Sequence, residues 1–143
     1  MDALLETLPR VEMLCFLGDM DRDAAYLQTG LAEKQPRAAF YAVCGNNDPF
    51  SRLPATLELP FAQVRAMLTH GHLLRVKQGL TALSAQTKRR GCALALYGHT
   101  HIRGDEMVNG VRLVNPGALM LGCWALADIA GDGMEVTFMA PDS

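Results

Sequence analysis

The chain has 143 residues, of which half are hydrophobic and a fifth are charged. This balance excludes a disordered protein, and the length suits a single domain, which we expect to span residues 1–143. Thirteen Lys and Arg residues against fifteen Asp and Glu residues give a net charge of −2. Binding to a long phosphate backbone needs a basic excess, so long nucleic acid is not an expected partner.

Targeting signals are absent from the sequence pattern. The N-terminus, MDALLE, lacks the basic start and apolar core of a signal peptide, and no apolar run approaches the roughly 20 residues that cross a bilayer. The cysteines (Cys15, Cys44, Cys92 and Cys123) lie in apolar runs without the paired spacing of a zinc knuckle. We therefore predict a cytoplasmic protein with free thiols and no membrane partner, whose oligomeric state the sequence leaves open.

The predicted elements change character along the chain. The pattern predicts helices over residues 2–8, 21–31 (beginning at Asp21 or Asp23) and 77–90, and buried strands over 11–17, 38–43, 56–59, 63–68 and 92–97. Hairpins are predicted over 106–114, around Asn109-Gly110, and over 124–139, around Gly131-Asp132-Gly133. This succession predicts a layered α/β domain with one mixed sheet or two packed sheets and helices outside.

Polar turns that contain glycine follow four of the predicted strands: residues 18–19, 45–48, 69–72 and 98–101. In layered α/β folds, ligands bind at the carboxyl ends of strands, where such turns converge. The turns supply carboxylate and carboxamide oxygens and imidazole nitrogens. This set indicates a metal site rather than a nucleophile paired with a base.

Histidine occurs only in two of these turns, as two His-x-His pairs. Packing explains such pairs poorly, so we predict a metal or catalytic role for His70, His99 and His101. His72 could be a ligand, orient His70 or contact the substrate. Asp19 and Asn46 are further candidate metal ligands, each with an alternative role. Asp19 could cap the following helix, as Asp21 or Asp23 also could, and Asn46 could be a turn residue.

In order and spacing, GD (18–19), GNND (45–48), HGH (70–72), GHTH (98–101) and the NPGA turn (115–118) resemble the calcineurin-like metallophosphoesterase superfamily. The closest likeness is to its small bacterial phosphodiesterase branch, which also includes the related retromer subunit of eukaryotes. The resemblance covers essentially the whole chain. It implies a four-layer α/β/β/α sandwich and metal-dependent hydrolysis of small phosphoesters, most readily phosphodiesters.

The resemblance also implies roles for individual residues. Asp19 would bridge two metals, with Asn46, His70 and His99 completing the ligands of one, and His101 belonging to the other. The catalytic set would be Asp19, Asn46, His70 and His99, because the paired cations polarise the phosphoryl oxygens and activate a water. Oxygen and nitrogen donors without thiolate suit Mn²⁺, Fe, Co, Ni or Zn²⁺, and the resemblance favours Mn²⁺.

One departure from the family pattern concerns Asn47, where many members have a histidine that protonates the leaving group. A carboxamide has no useful pKa and cannot be a general acid. Asn47 is then expected to contact the substrate or a metal ligand, and good leaving groups, such as those of aryl phosphodiesters, are expected to react more readily.

A second departure concerns the strand that opens the family's domain and ends in Asp-x-His, a motif found nowhere in this sequence. Without it, one metal keeps a full set of ligands and the other has only Asp19 and His101. Three interpretations stay open: about 15 further residues upstream, judged from the length of a strand and its turn; a genuine short form that binds one metal with weak activity; and a non-catalytic interaction domain, like the retromer relative.

Overall fold

A computed structural model describes residues 2–61, 63–130 and 133–141 of the chain. Its α-helices are Asp2–Thr7 (α1), Asp21–Lys34 (α2) and Thr81–Arg89 (α3). Its strands are Met13–Phe16 (β1), Ala39–Ala42 (β2), Thr56–Phe61 (β3), Val64–Thr69 (β4), Leu94–Leu96 (β5), Gly104–Val108 (β6), Val111–Asn115 (β7), Trp124–Ala130 (β8) and Gly133–Met139 (β9). The predicted α/β class is confirmed. Within the described ranges, no helix has the length and apolar character that crossing a membrane requires.

The strands form one mixed sheet and two separate pairs. The mixed sheet has the order β3-β4-β5-β7-β6, with β4, β5 and β7 parallel and the outer strands β3 and β6 antiparallel to their neighbours. Strands β1 and β2 pair in parallel, whereas β8 and β9 form an antiparallel hairpin. Parallel pairing puts the turns after β4 and β5 at one edge, and those after β1 and β2 side by side.

Successive side chains of a strand point to opposite faces of its sheet, so the apolar core is divided into clusters on the two faces. In β4, Met67 packs toward α3, while Ala66 and Leu68 pack in the cluster shared with β1 and β9. In β1, Phe16 faces instead the cluster that contains Leu27 of α2. Full burial of one such large side chain stabilises the fold by roughly 1.5–3 kcal/mol. Burial on both faces of the sheets thus fixes the strand ends that carry the polar turns.

The predicted helix over residues 77–90 is wrong in its first turn. Helix α3 begins only at Thr81, and Val76–Gln78 is a short 3₁₀ segment. Gly79, with φ of +138°, has a backbone conformation that cannot continue a helix. The helix was predicted from the spacing of its apolar residues, and that spacing does not reveal the interruption at Gly79.

The strand β3 differs from its predicted bounds, whereas the last hairpin is confirmed. The strand β3 continues through Pro60, which lies opposite Arg65, because β3 is an outer strand and Pro is tolerated there. The hairpin of β8 and β9 pairs Trp124 with Met139, and residues 131–132 of its predicted turn lie outside the described residues.

The four cysteines are free thiols, as predicted. Cys92 is buried, and Cys15, Cys44 and Cys123 are partly buried. Burial raises the pKa of the Cys15 thiol to about 12, so this thiol stays protonated and unreactive at neutral pH.

Candidate metal centre

His70 is the buried centre of the predicted site. It follows β4 directly, and its side chain is 4% exposed. Its Nδ1 lies 2.8 Å from the carbonyl oxygen of Leu17, and because a carbonyl only accepts, Nδ1 carries the proton. The neutral ring therefore has its lone pair on Nε2, which lies 3.1 Å from Asn46 Oδ1 and 3.2 Å from Asp19 Oδ2. Side chains that follow β1, β2 and β4 thus converge on one point.

This donor set fits a divalent cation. In the neutral ring, an imidazole lone pair and two oxygens face one another, an arrangement that a cation between them stabilises. His72 adds a second indication, because its Nδ1 is buried without a hydrogen-bond partner among the residues described. Its ring centroid lies 5.4 Å from that of His70. Imidazole nitrogen, carboxylate oxygen and carboxamide oxygen are typical ligands of Mn²⁺, Zn²⁺ and related ions.

Two glycines permit the close approach of the turns. A Cβ on Gly18, whose φ is +106°, would lie 2.7 Å from His70 Nδ1. A Cβ on Gly45 would lie 2.0 Å from Asp19 Oδ1. Both distances are far below van der Waals contact, so any larger residue would push the ligands apart.

The Asp19 carboxylate is oriented by the turn after β2. The backbone N–H of Asn47 donates to Asp19 Oδ1 at 3.0 Å, and the Asn47 side-chain amide donates to Asp19 Oδ2 at 3.1 Å. The second of these oxygens is the one that faces His70. Asn47 therefore supports a predicted ligand.

Asp48 holds the same two turns together, a role that the sequence analysis missed. Its Oδ1 accepts from the backbone N–H groups of Met20, at 2.8 Å, and Asp21, at 3.1 Å, and its Oδ2 accepts from that of Gly45, at 3.0 Å. Helix α2 has Met20 at its N-cap position and no side-chain cap of its own. The alternative that Asp19, Asp21 or Asp23 caps this helix is therefore wrong, since Asp48 serves from another turn. The Asp-Pro step at the end of the GNND motif indicates a turn, but it does not indicate which amides Asp48 binds.

His99 lies beside His70 on the turn after β5. Their ring centroids are 5.0 Å apart with the rings edge to face, and the centroid of His72 is 6.2 Å from that of His99. Burial, followed by the neighbouring His70, lowers the pKa of both His72 and His99, while Asp19 opposes the shift. The neutral ring, the form that binds metal, is therefore favoured.

Asn115, at the end of β7, fixes the turn that carries His99. It is fully buried, and its side-chain amide donates to the Gly98 carbonyl at 3.2 Å and to Thr100 Oγ1 at 2.9 Å. Its Oδ1 accepts from the Gly117 N–H at 2.9 Å. The NPGA motif contains this residue, but no sequence signal connects it with the turn after β5.

His101 differs from the other three histidines in its exposure. It is exposed, with a left-handed φ of 63°. Across residues 2–61, 63–130 and 133–141, no three His, Cys, Asp or Glu side chains have the arrangement of a metal site. The convergent donors are therefore Asp19, Asn46 and His70, with the rings of His72 and His99 adjacent.

Comparison with known proteins identifies the family of the chain. Residues 1–129 match the calcineurin-like phosphoesterase superfamily domain. The chain is 33% identical over 115 residues to the probable metallophosphoesterase YsnB of Bacillus subtilis, an alignment that covers 76% of this chain and 68% of YsnB. It spans about half the length, 52%, of two similar Mycoplasma proteins.

Solved structures share the fold. A predicted phosphoesterase from Streptococcus pneumoniae superposes with a TM-score of 0.77 at 21% identity, covering 97% of this chain and 79% of that chain. The Entamoeba histolytica Vps29 structure, complexed with Zn²⁺, gives a TM-score of 0.75 at 17% identity, covering 97% of this chain and 86% of that chain. The chain belongs to the calcineurin-like phosphoesterase superfamily.

Proposed function

We propose that this protein hydrolyses small phosphoesters, most readily phosphodiesters, in a reaction that depends on a divalent transition metal. The observation that carries the proposal is the convergence of Asp19 Oδ2 and Asn46 Oδ1 on Nε2 of His70. Family membership supports the same class of reaction.

Asp19, Asn46 and His70 would hold the metal, with His99 as the adjacent imidazole. Once bound there, a divalent cation polarises the phosphoryl oxygens and makes water a better nucleophile at neutral pH. The chain's own residues supply the orientation. The Leu17 carbonyl fixes the tautomer of His70, Asn47 fixes the Asp19 carboxylate, and the ring of His72 lies beside that of His70.

The preference for good leaving groups follows from Asn47. A carboxamide cannot protonate a leaving alkoxide, and both N–H groups described here already donate to Asp19. An aryl oxide needs no protonation to leave, whereas an alkoxide does. The substitution Asn47→His should therefore accelerate alkyl esters more than aryl esters, and equal effects on the two would count against this reasoning.

Mn²⁺ is the metal we propose, with Zn²⁺, Fe, Co and Ni as ions that suit the same donors. The zinc complex of Vps29 shows that a protein of this fold accepts a transition metal. Because the donors include no thiolate, these ions should bind the site with similar affinities.

The test is metal analysis combined with hydrolysis of bis(4-nitrophenyl) phosphate, with Mn²⁺ or Zn²⁺ added to the metal-free protein. We expect bound metal and turnover in the wild type, and loss of both in His70→Ala. The matched control is Asp128→Ala, which changes an exposed carboxylate on β8. Wild-type protein that binds neither ion and hydrolyses nothing would refute the proposal.

A catalytically weak or inactive binding module is the second candidate. The exposure of His101 favours it, because the family's second metal would rely on this residue. The two candidates differ in one result. Metal binding without hydrolysis of any aryl phosphodiester indicates the binding module, whereas metal-dependent turnover that His70→Ala abolishes indicates the enzyme.

A further inference from the structure

Large apolar side chains stand exposed on the same turns that carry the predicted metal ligands. Met20 follows Asp19 and is 43% exposed, and Phe50, on the loop after Asn46, is 96% exposed. Leu73 follows His72 and is 71% exposed, and Ile102 follows His101 and is 72% exposed. These four residues, here called the apolar rim, belong to turns at four different strand ends. Single exposed apolar residues are common on proteins, but one on each site turn is a pattern that calls for a reason.

The backbone of the apolar rim is held in place although its side chains are not packed. The Met20 N–H donates to Asp48 Oδ1 at 2.8 Å, and the Ile102 N–H donates to Thr100 Oγ1 at 3.1 Å. The Ser51 N–H donates to the Asp48 carbonyl at 3.1 Å, which closes the turn that contains Phe50. The Ser51 hydroxyl donates to Asp21 Oδ1 at 3.0 Å, so this turn is seated on the start of α2.

Phe50 lies near the metal centre for a simple geometric reason. Successive Cα atoms are about 3.8 Å apart, so the Cα of Phe50 is at most about 7.6 Å from that of Asp48. The carboxylate of Asp48 in turn bonds the backbone of Met20, the neighbour of Asp19. Phe50 is therefore two residues from a side chain that bonds the turn of Asp19, and almost the whole surface of Phe50 is in water.

We infer that Phe50, with the other residues of the apolar rim, selects phosphodiesters whose retained group, the one that stays on phosphorus, is aromatic or otherwise apolar. This inference rests on the proposed phosphoesterase function. A phosphodiester carries two organic groups, one that leaves and one that stays on phosphorus. The leaving group decides the chemical step, whereas the retained group can gain from apolar surface at the rim, most of all from stacking on the Phe50 ring.

The experiment uses two substrates that share a leaving group. Bis(4-nitrophenyl) phosphate and methyl 4-nitrophenyl phosphate both release 4-nitrophenolate and differ only in the retained group. The specificity ratio is kcat/KM for the first divided by kcat/KM for the second. In Phe50→Ala we expect this ratio to fall by about threefold to tenfold, through KM, as loss of one aromatic contact predicts.

Two variants separate recognition from a structural effect. Phe50→Tyr keeps the ring and should restore the ratio. Met107→Ala, which removes a 67% exposed side chain from β6, should leave the ratio at the wild-type value.

The outcomes distinguish this inference from the proposed function. A ratio that falls in Phe50→Ala and recovers in Phe50→Tyr supports the inference. Turnover of both esters with a ratio that Phe50→Ala does not change overturns it and leaves the phosphoesterase function standing. Failure of the wild type to hydrolyse either ester refutes the proposed function, and the inference with it.

Discussion

Replacement of Asp48 tests how the metal centre is built. Its Oδ1 accepts from the first amides of α2, and loss of such a helix cap costs about 1 kcal/mol. Its Oδ2 accepts from the Gly45 N–H at 3.0 Å, and a hydrogen bond to a charged acceptor contributes about 1.5–2 kcal/mol. Asp48→Ala should therefore lower the free energy of unfolding by about 3 kcal/mol, whereas Asp48→Asn, which keeps one oxygen for α2, should lower it by about half as much.

The measurement is urea and thermal unfolding followed by circular dichroism at pH 7, in metal-free protein. For a domain of this size the loss in Asp48→Ala corresponds to a decrease in Tm of about 6–12 °C. Metal affinity should fall as well, because the turn released from Asp48 carries Asn46. Asp128→Ala, which removes an exposed carboxylate from β8, is the matched control.

The order of the variants in unfolding free energy tests whether Asp48 joins the two turns. Stability that is equal in Asp48→Ala and the control, or lower in Asp48→Asn than in Asp48→Ala, would show that Asp48 does not join the two turns as its hydrogen bonds indicate.

Further predictions concern packing and protonation. Gly45→Ala places a Cβ 2.0 Å from Asp19 Oδ1 and should weaken Mn²⁺ binding, measured by calorimetry, at least about tenfold. The hydrogen bonds from Arg112 lower the pKa of Asp105, so the stability they contribute is present above the ordinary value of 3.8 and is lost as the pH falls through the lower folded value. Asp105→Asn should flatten the decline in unfolding free energy below about pH 4, and an unchanged slope would contradict the assignment. The pKa of His72 is lowered mainly by burial, so metal-free protein should lose stability as the pH falls below the ordinary value of 6.5, and His72→Gln should reduce that loss in denaturation series between about pH 5 and pH 8.

The sequence predicted the strand ends well because apolar runs and glycine-containing turns are local signals. The turns after β1, β2, β4 and β5 are where the pattern put them, and parallel pairing of β1 with β2 places Asp19 beside Asn46. His70 follows β4 in a different sheet, and its contacts with Asn46 and Asp19 join the two sheets at the site. The helix over 77–90 was predicted too long, because apolar spacing does not report the backbone conformation of Gly79.

The side chains that support the turns could not be predicted in the same way. Asp48 bonds a backbone amide 27 positions away, and Asn115 bonds a carbonyl 17 positions away. Each partner is a main-chain group, which leaves no residue-type signal in the sequence. The His-x-His spacing does not distinguish the two histidines of the second pair. It does not predict that His99 lies beside His70 while His101 is exposed.

Backbone strain explains why these supporting residues matter for function. Of the six described residues that have positive φ without being glycine, four lie in the site turns: Asp19, Met20, His99 and His101. Each such conformation costs of order 1–3 kcal/mol and persists only where the surroundings enforce it. Asn47, Asp48 and Asn115 supply that enforcement with hydrogen bonds to the strained turns themselves. The orientation of the predicted ligands is therefore maintained by hydrogen bonds that the folded chain itself supplies.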